Sequence, residues 1–362
     1  YLKLEKAGIN FKARCPFHNE KTPSFFISPA RNSYYCFGCA AKGDIFTFVQ
    51  AIEGLDFMGA LKVLGERAGI PLEFYKGGGK EDKAEEDRLY SAMEEATNFL
   101  AENLGRNPEA REYLASRGIE ERTVQTFRLG YAQDAWRTLS EHLQAKKFSI
   151  QDLEKAGLIK KSDKPGETSY YDRFRGRVMF PIADSAGRVV AFSGRVLKKD
   201  EEPKYLNSPE TPLFSKSKIL YGFDRAKQAI RKSDFSIVVE GQMDLVMSHQ
   251  AGFPNTVAVS GTALTSAHLS LLSRLSKNIL LAFDSDKAGM LSTARSSLVA
   301  LSMGFDVKVA GMTKGKDPAD MVREGIDEWR GAVRNAVHVI EFFLDAIERQ
   351  GYDERKFKLQ VQ

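Results

Sequence analysis

Between residues 235 and 320 the chain alternates short apolar runs with helical stretches of about 10–15 residues, a pattern few folds accept. The runs are Ile237–Val239, Thr256–Val259, Ile279–Phe283 and Val307–Ala310. They predict a parallel sheet with helices on both faces. An acidic motif follows three of the runs or the loop beyond them: Glu240-Gly241-Gln242-Met243-Asp244, Asp284-Ser285-Asp286, and Lys316-Asp317-Pro318-Ala319-Asp320. In an open parallel sheet the carboxyl ends of the strands share one edge, where ligands bind. Glu240, Asp284 and Asp286 are therefore expected to converge, with Asp317 joining from the loop after the last strand. Crowded carboxylates repel one another unless a divalent cation lies between them, and hard oxygen ligands suit Mg2+ or Mn2+. A single Asp after a strand is ordinarily a helix cap; three motifs at equivalent places are harder to explain that way. Gly241 and Gly289 fit backbone turns leaving the strands.

A second signature lies near the start. All three cysteines of the chain, Cys15, Cys36 and Cys39, fall with His18 in the pattern C-x2-H, seventeen residues, C-x2-C. Three thiolates and one imidazole make a closed tetrahedral Zn2+ site, which has no open position for water. This zinc is thus structural and the chemistry must lie elsewhere. A disulfide framework would leave one thiol over. Thiol usage of this kind points to a cytoplasmic setting.

The chain has 362 residues, 43% hydrophobic and 28% charged, the composition of a globular protein of two to three domains. No apolar run approaches the roughly 20 residues of a membrane helix. The net charge of +5 is unevenly spread. Residues 173–232 hold 14 Lys/Arg against 6 Asp/Glu, whereas residues 233–320 hold 7 against 8. A basic block beside a carboxylate-bearing one suggests a polyanion held next to a metal.

The expected organisation is a mixed α/β chain. Residues 1–75 form a zinc ribbon with strands at Ser24–Ser28 and Asn32–Cys36, then helices opening at Gly43-Asp44 and covering Phe57–Ala68. Residues 76–88 (KGGGKEDKAEEDR) read as a linker, with Lys76–Lys80 its flexible part. A helix over Ala84–Asn103 shows apolar spacing at Leu89, Met93, Ala96 and Leu100. It leads into a basic α/β subdomain, 89–232, with strands at Val178–Ile182, Val189–Phe192 and Ile219–Tyr221 and a hairpin at Ala186-Gly187. The parallel-sheet subdomain covers 233–325, and 326–362 is helical. The chain opens on Tyr1 and stops inside a helical pattern, so it is expected to be a piece of a longer protein.

These motifs resemble those of the bacterial DNA primase family. Glu240–Asp320 is similar to a Toprim domain, and the runs Cys15–Phe25 and Cys36–Cys39 to the family's zinc ribbon. Arg173–Pro181, Gly187–Leu197 and Pro203–Phe214 are similar to the basic motifs of its polymerase core. The resemblance implies zinc ligation by Cys15, His18, Cys36 and Cys39. It implies catalytic and metal-holding roles for Glu240, Asp284, Asp286 and Asp317, with Asp244 the second acid of the first motif. It implies template and nucleotide contacts for Arg195, Lys204, Tyr205, Asn207 and Lys216. One departure stands out: the family often has D-P-D where this chain has Asp317-Pro318-Ala319, with its acid one position later at Asp320.

The resemblance implies template-directed synthesis of short RNA primers on single-stranded DNA, by nucleotidyl transfer from ribonucleoside triphosphates. An RNA–DNA hybrid would be the product, and a replicative helicase would bind through a C-terminal domain missing here. Phe25, Tyr34, Tyr35 and Phe37 are expected to offer a stacking platform for the template, with Arg14, Lys21 and Lys42 on its backbone. Two other classes share parts of the pattern. A Toprim nuclease or topoisomerase would cut rather than join, and nothing marks the nucleophilic tyrosine that a topoisomerase needs. A non-catalytic DNA-binding scaffold would not use the acidic set.

Overall fold

The computed structural model describes residues 1–18, 20–55, 57–70, 80–162, 169–197, 202–313 and 315–349. Residues 76–79 of the expected linker lie outside them, whereas Lys80–Arg88, expected as the rest of the linker, are helical, because their charged, glycine-free run favours a helix.

The N-terminal region is a five-stranded antiparallel ribbon in chain order: Glu5–Ala7, Asn10–Ala13, Phe25–Ser28, Ser33–Cys36 and Lys42–Gly43. Helix Ile45–Glu53 follows, its N-cap Asp44 accepting from the Thr47 N–H, and then helix Phe57–Ala68. The small core joins Phe25 and Tyr34 to Cys15 and Cys36. Glu53 pairs with Lys227, and Arg231 and Arg274 donate to the Ile52 and Gly54 carbonyls, so the ribbon's helices rest on the core of the chain.

The next helix spans Lys80–Arg106, longer at both ends than the apolar spacing alone predicts. Its stripe of Leu89, Ala92, Met93, Ala96 and Leu100 is fully buried against an antiparallel sheet. That sheet runs Tyr205–Asn207, Val189–Val196, Arg177–Ala183, Gly130–Ala132. The hairpin between its two long strands is held by Asp184, whose Oδ1 accepts from the Ala186 and Arg188 N–H groups.

The second sheet runs Thr256–Ala258, Ser236–Val239, Asn278–Ala282, Asp306–Val309, with Val337–His338 at its edge. The first four strands are parallel and the last is antiparallel. Both faces are buried, as expected for a parallel sheet: Ile237, Val239 and Leu280 face one cluster, Val238, Ile279 and Leu281 the other. The first cluster also takes Val178, Phe180 and Val190 from the antiparallel sheet, so the two sheets share one core.

Two expectations need correction. Ile219–Tyr221 is not a strand: only Tyr221 forms a bridge, to Ala258, because its neighbours turn toward helix Phe223–Ser233. The C-terminal region is not wholly helical, since Val337–His338 pairs with Lys308 and Val309 between helices Ile326–Arg334 and Val339–Arg349. Two residues are too short a run to show strand periodicity.

Candidate active site and zinc centre

Among the described residues, the ligand atoms of Cys15, His18, Cys36 and Cys39 lie within 4.8 Å of one another, and no other Cys/His/Asp/Glu group closes so tightly. The Cys15 and Cys39 sulfurs are 3.7 Å apart, and His18 Nδ1 is 3.8 Å from Cys36 Sγ. The opposite ring nitrogen, Nε2, faces Glu20 Oε2 at 3.3 Å. A carboxylate on the far nitrogen fixes the tautomer and turns Nδ1 toward the thiols. Glu20 is itself held by the Cys15 and Ser24 N–H groups, at 2.6 and 3.1 Å. It lies two residues after His18 in an irregular segment, where no regular strand marks the two as neighbours, and this hid its role in the sequence. Gly38 completes the fit: a Cβ there would lie 2.4 Å from His18 Nε2. Three thiols, one imidazole and a second shell of this kind suit Zn2+.

The ribbon divides its aromatics between two faces. Phe25 and Tyr34 are core residues, stacked at 4.9 Å, and are not available as a platform. Tyr35 and Phe37 are exposed, and Phe37 packs edge-on to both Tyr35 and Phe26. Cross-strand register places Lys12 beside Phe26, Phe26 beside Tyr35, and Tyr35 beside Lys42, in one row on one face.

The second site is a cleft of about 500 Å³ between the two sheets. Glu240, Asp244, Asp284 and Asp317 line it from the parallel sheet, and Arg195, Lys204, Tyr205 and Asn207 from the antiparallel one. Each acid is positioned by its strand or cap. Glu240 and Asp284 follow adjacent strands, paired Val239 to Ala282. Asp284 is pressed against the following helix at Gly289, where a Cβ would meet the Asp284 carbonyl at 2.0 Å, so only glycine fits. Asp317 caps helix Pro318–Glu324. Asp244 is buried and accepts from the Gly241 and Ala319 N–H groups, at 3.1 and 3.3 Å.

Two expected residues stand apart from the cleft lining. Asp286 is exposed and caps helix Lys287–Ser302 through the Gly289 N–H, at 2.7 Å. Lys216 lies outside because its backbone is tied to Glu210 and His268. At the D-P-D departure, Ala319 is buried against Asp244, while Asp320 pairs with Arg323 at 2.9 Å and does not line the cleft.

The electrostatics describe a site short of positive charge. Burial, then Asp284, raises the pKa of Glu240. Burial, then Asp317 and Asp286, raises that of Asp284, with Lys204 opposing. Burial, Asp317 and Asp284 push Asp244 up to about 7. Glu240 Oε1 is buried without a hydrogen-bond partner among the described residues. An orphaned oxygen in a like-charged cluster fits a divalent cation.

Residues 1–80 match the family model of the CHC2 zinc finger, 99–227 that of the DNA primase catalytic core N-terminal domain, and 237–322 that of the Toprim-like family. The structure is similar to the zinc-binding and RNA polymerase domains of Aquifex aeolicus primase. The TM-score is 0.67 at 34% identity, over 96% of this chain and 84% of that one. The chain belongs to the DNA primase family. Among primase relatives, the DNA primase of Clostridium acetobutylicum is 41% identical over 94% of this chain and that of Deinococcus radiodurans 41% over 100%. This chain spans 56% and 62% of their lengths. A primase catalytic domain solved bound to single-stranded DNA is also similar, with a TM-score of 0.66 and 34% identity over 74% of this chain and 84% of that one. The CHC2 match and the Cys/His cluster together identify a Zn2+ site; the Toprim-like match points to a divalent cation at the carboxylates. No described helix is long and apolar enough to cross a membrane.

Proposed function

We propose that this chain is the zinc-binding and RNA-polymerising part of a primase. It makes short RNA primers on single-stranded DNA during replication, in the cytoplasm. The observation that carries the reading is the cleft, where carboxylates at the ends of parallel strands face cations from a neighbouring sheet. Nucleotidyl transfer needs both: the 3′-hydroxyl of one ribonucleotide attacks the α-phosphorus of the next, and pyrophosphate leaves. When bound, Mg2+ or Mn2+ supplies positive charge to the triphosphate and lowers the pKa of the attacking hydroxyl.

Glu240, Asp284 and Asp317 would hold that cation, with Asp244 buried beside them and the exposed Asp286 adding its charge from outside the lining. Glu240 keeps one oxygen free for cation or proton. Lys204 stands exposed near Asp284 and takes phosphate. Arg195 and Tyr205, bonded at 2.6 Å, form a rigid wall against which base or sugar rests. Lys216 serves the strand outside the cleft. The row Lys12, Phe26, Tyr35 and Lys42, with Phe37, is the template surface: bases stack on rings while lysines meet phosphates, with Arg14 and Lys21 adding charge nearby. The RNA–DNA hybrid leaves along the basic sheet, and a helicase binds through a part of the protein beyond this chain.

Incubation with single-stranded DNA, Mg2+ and labelled ribonucleotides tests the reading, wild type beside Asp284→Ala. Short RNA from wild type alone is the expected result. Equal RNA from both would remove the cleft from the chemistry. Template binding without RNA from either would leave a binding module.

A further inference from the structure

The cations of the cleft differ in how much of their bonding capacity is already used. Arg195 is 7% exposed; it donates to the Tyr205 hydroxyl and packs over the Tyr205 and Tyr113 rings, at 5.1 and 5.9 Å. Arg295, from helix Lys287–Ser302, lines the same cleft and is exposed. Its guanidinium makes no hydrogen bond or ion pair among the described residues, although four carboxylates line the cleft with it. Ser292 and Ser296, three residues before and one after, also line the cleft, so this helix turns a polar face to it. On the loop after strand Thr256–Ala258, Ser260 is 8% exposed, lines the cleft, and has a buried hydroxyl without a partner.

We propose that Arg295, with the Ser260 hydroxyl of the same cleft, holds the phosphate tail of the incoming ribonucleotide. The inference rests on the primase reading and names a binding residue that reading does not. Among the described residues a buried Glu240 oxygen and the Arg295 guanidinium both stand without a partner, in one cleft. A metal-bound triphosphate carries both charges in one ligand. A template phosphodiester carries one negative charge and brings no cation to the acids. The planar fork of Arg295 can grip two phosphate oxygens at once, which Lys204 cannot. Sequence reading passed over Arg295 because it sits mid-helix, outside the basic block, where a lone arginine looks like solvated surface.

The test measures ATP binding with Mg2+ by calorimetry and, separately, template affinity by anisotropy without nucleotide. Arg295→Ala and Arg295→Lys are compared with wild type. Arg295→Ala should weaken ATP binding by about tenfold or more, the loss of a charge-assisted contact. Arg295→Lys should fall between, and the melting temperature and template affinity should hold. In primer synthesis the KM for ribonucleotides should rise more than kcat falls. Unchanged ATP affinity overturns the proposal, as does no measurable ATP binding by wild type. Template affinity that drops in step with ATP affinity also overturns it and assigns Arg295 to the template. A wild type that binds ATP through Arg295 but makes no RNA breaks the primase reading and leaves this site standing.

Discussion

The zinc ribbon and the parallel sheet each gather a set of metal-binding groups, but they stand in opposite relations to it. In the ribbon the buried core cluster is Cys15, Phe25, Tyr34 and Cys36, so half of the core is metal ligand. In the parallel sheet two large apolar clusters cover both faces, and the carboxylates stand at the strand ends outside them. One site is part of what folds the region; the other is mounted on a region already folded. Removing metal should therefore unfold the first and only silence the second.

The largest effect expected is on the ribbon. Stripping zinc with a chelator, or Cys36→Ser, should unfold residues 1–70 and leave 80–349 folded, since structural zinc contributes on the order of 10 kcal/mol to such modules. Limited proteolysis reads this directly, and a protease-resistant ribbon without zinc would erase the contrast. Next in size, Asp284→Ala should lower primer synthesis roughly 10³-fold while the melting temperature stays the same or rises, because a crowded charge is removed. A large loss of stability would make the acid part of the fold.

Acid sharpens the comparison from the side of the sheet. His249 is half-buried beside it, with Nε2 2.9 Å from the Thr256 carbonyl. Burial holds its pKa down to about 4, with the Thr256 bond opposing and Arg225 adding to the effect. The folded value lies below the unfolded one, so the unfolded chain takes up the proton first. Stability should fall as pH drops from about 6.5 to about 4, by up to roughly 3 kcal/mol. Denaturant titrations across that window should show a shallower decline for His249→Gln; an identical slope would place the acid sensitivity elsewhere. The smallest effect concerns Asp286. Losing the cap in Asp286→Ala should lower stability by about 1 kcal/mol, while Asp286→Asn keeps it. Any activity lost in the Asn variant then belongs to the charge alone.

The parallel sheet was legible because both of its faces are buried, which leaves unbroken apolar runs such as Ile279–Phe283. That Glu240, Asp284 and Asp317 would line one cleft was legible because strand ends put residues distant in sequence on one edge, whereas Asp286 turned to cap its helix. Short or solitary features were not. Val337–His338 is too brief for a periodicity, and Tyr221 pairs through one bridge. Phe25 and Tyr34 were placed on a binding face because alternation in a small ribbon tells two faces apart without telling which is core. Phe26, which stands on the exposed face, was passed over for the same reason. Glu20 meets His18 in an irregular segment with no strand pattern to pair them, and Arg295 lies mid-helix, where only the fold shows that it lines a cleft.

Asn207 donates from Nδ2 to the Ser260 carbonyl at 2.9 Å, tying the edge of the antiparallel sheet to a loop of the parallel one, above a core that the two share. The jaws of the cleft are thus braced to each other at this point. A brace of this kind makes the width of the cleft a property of the shared core, so a substitution in that core changes the gap that a ligand meets as well as the stability of the fold.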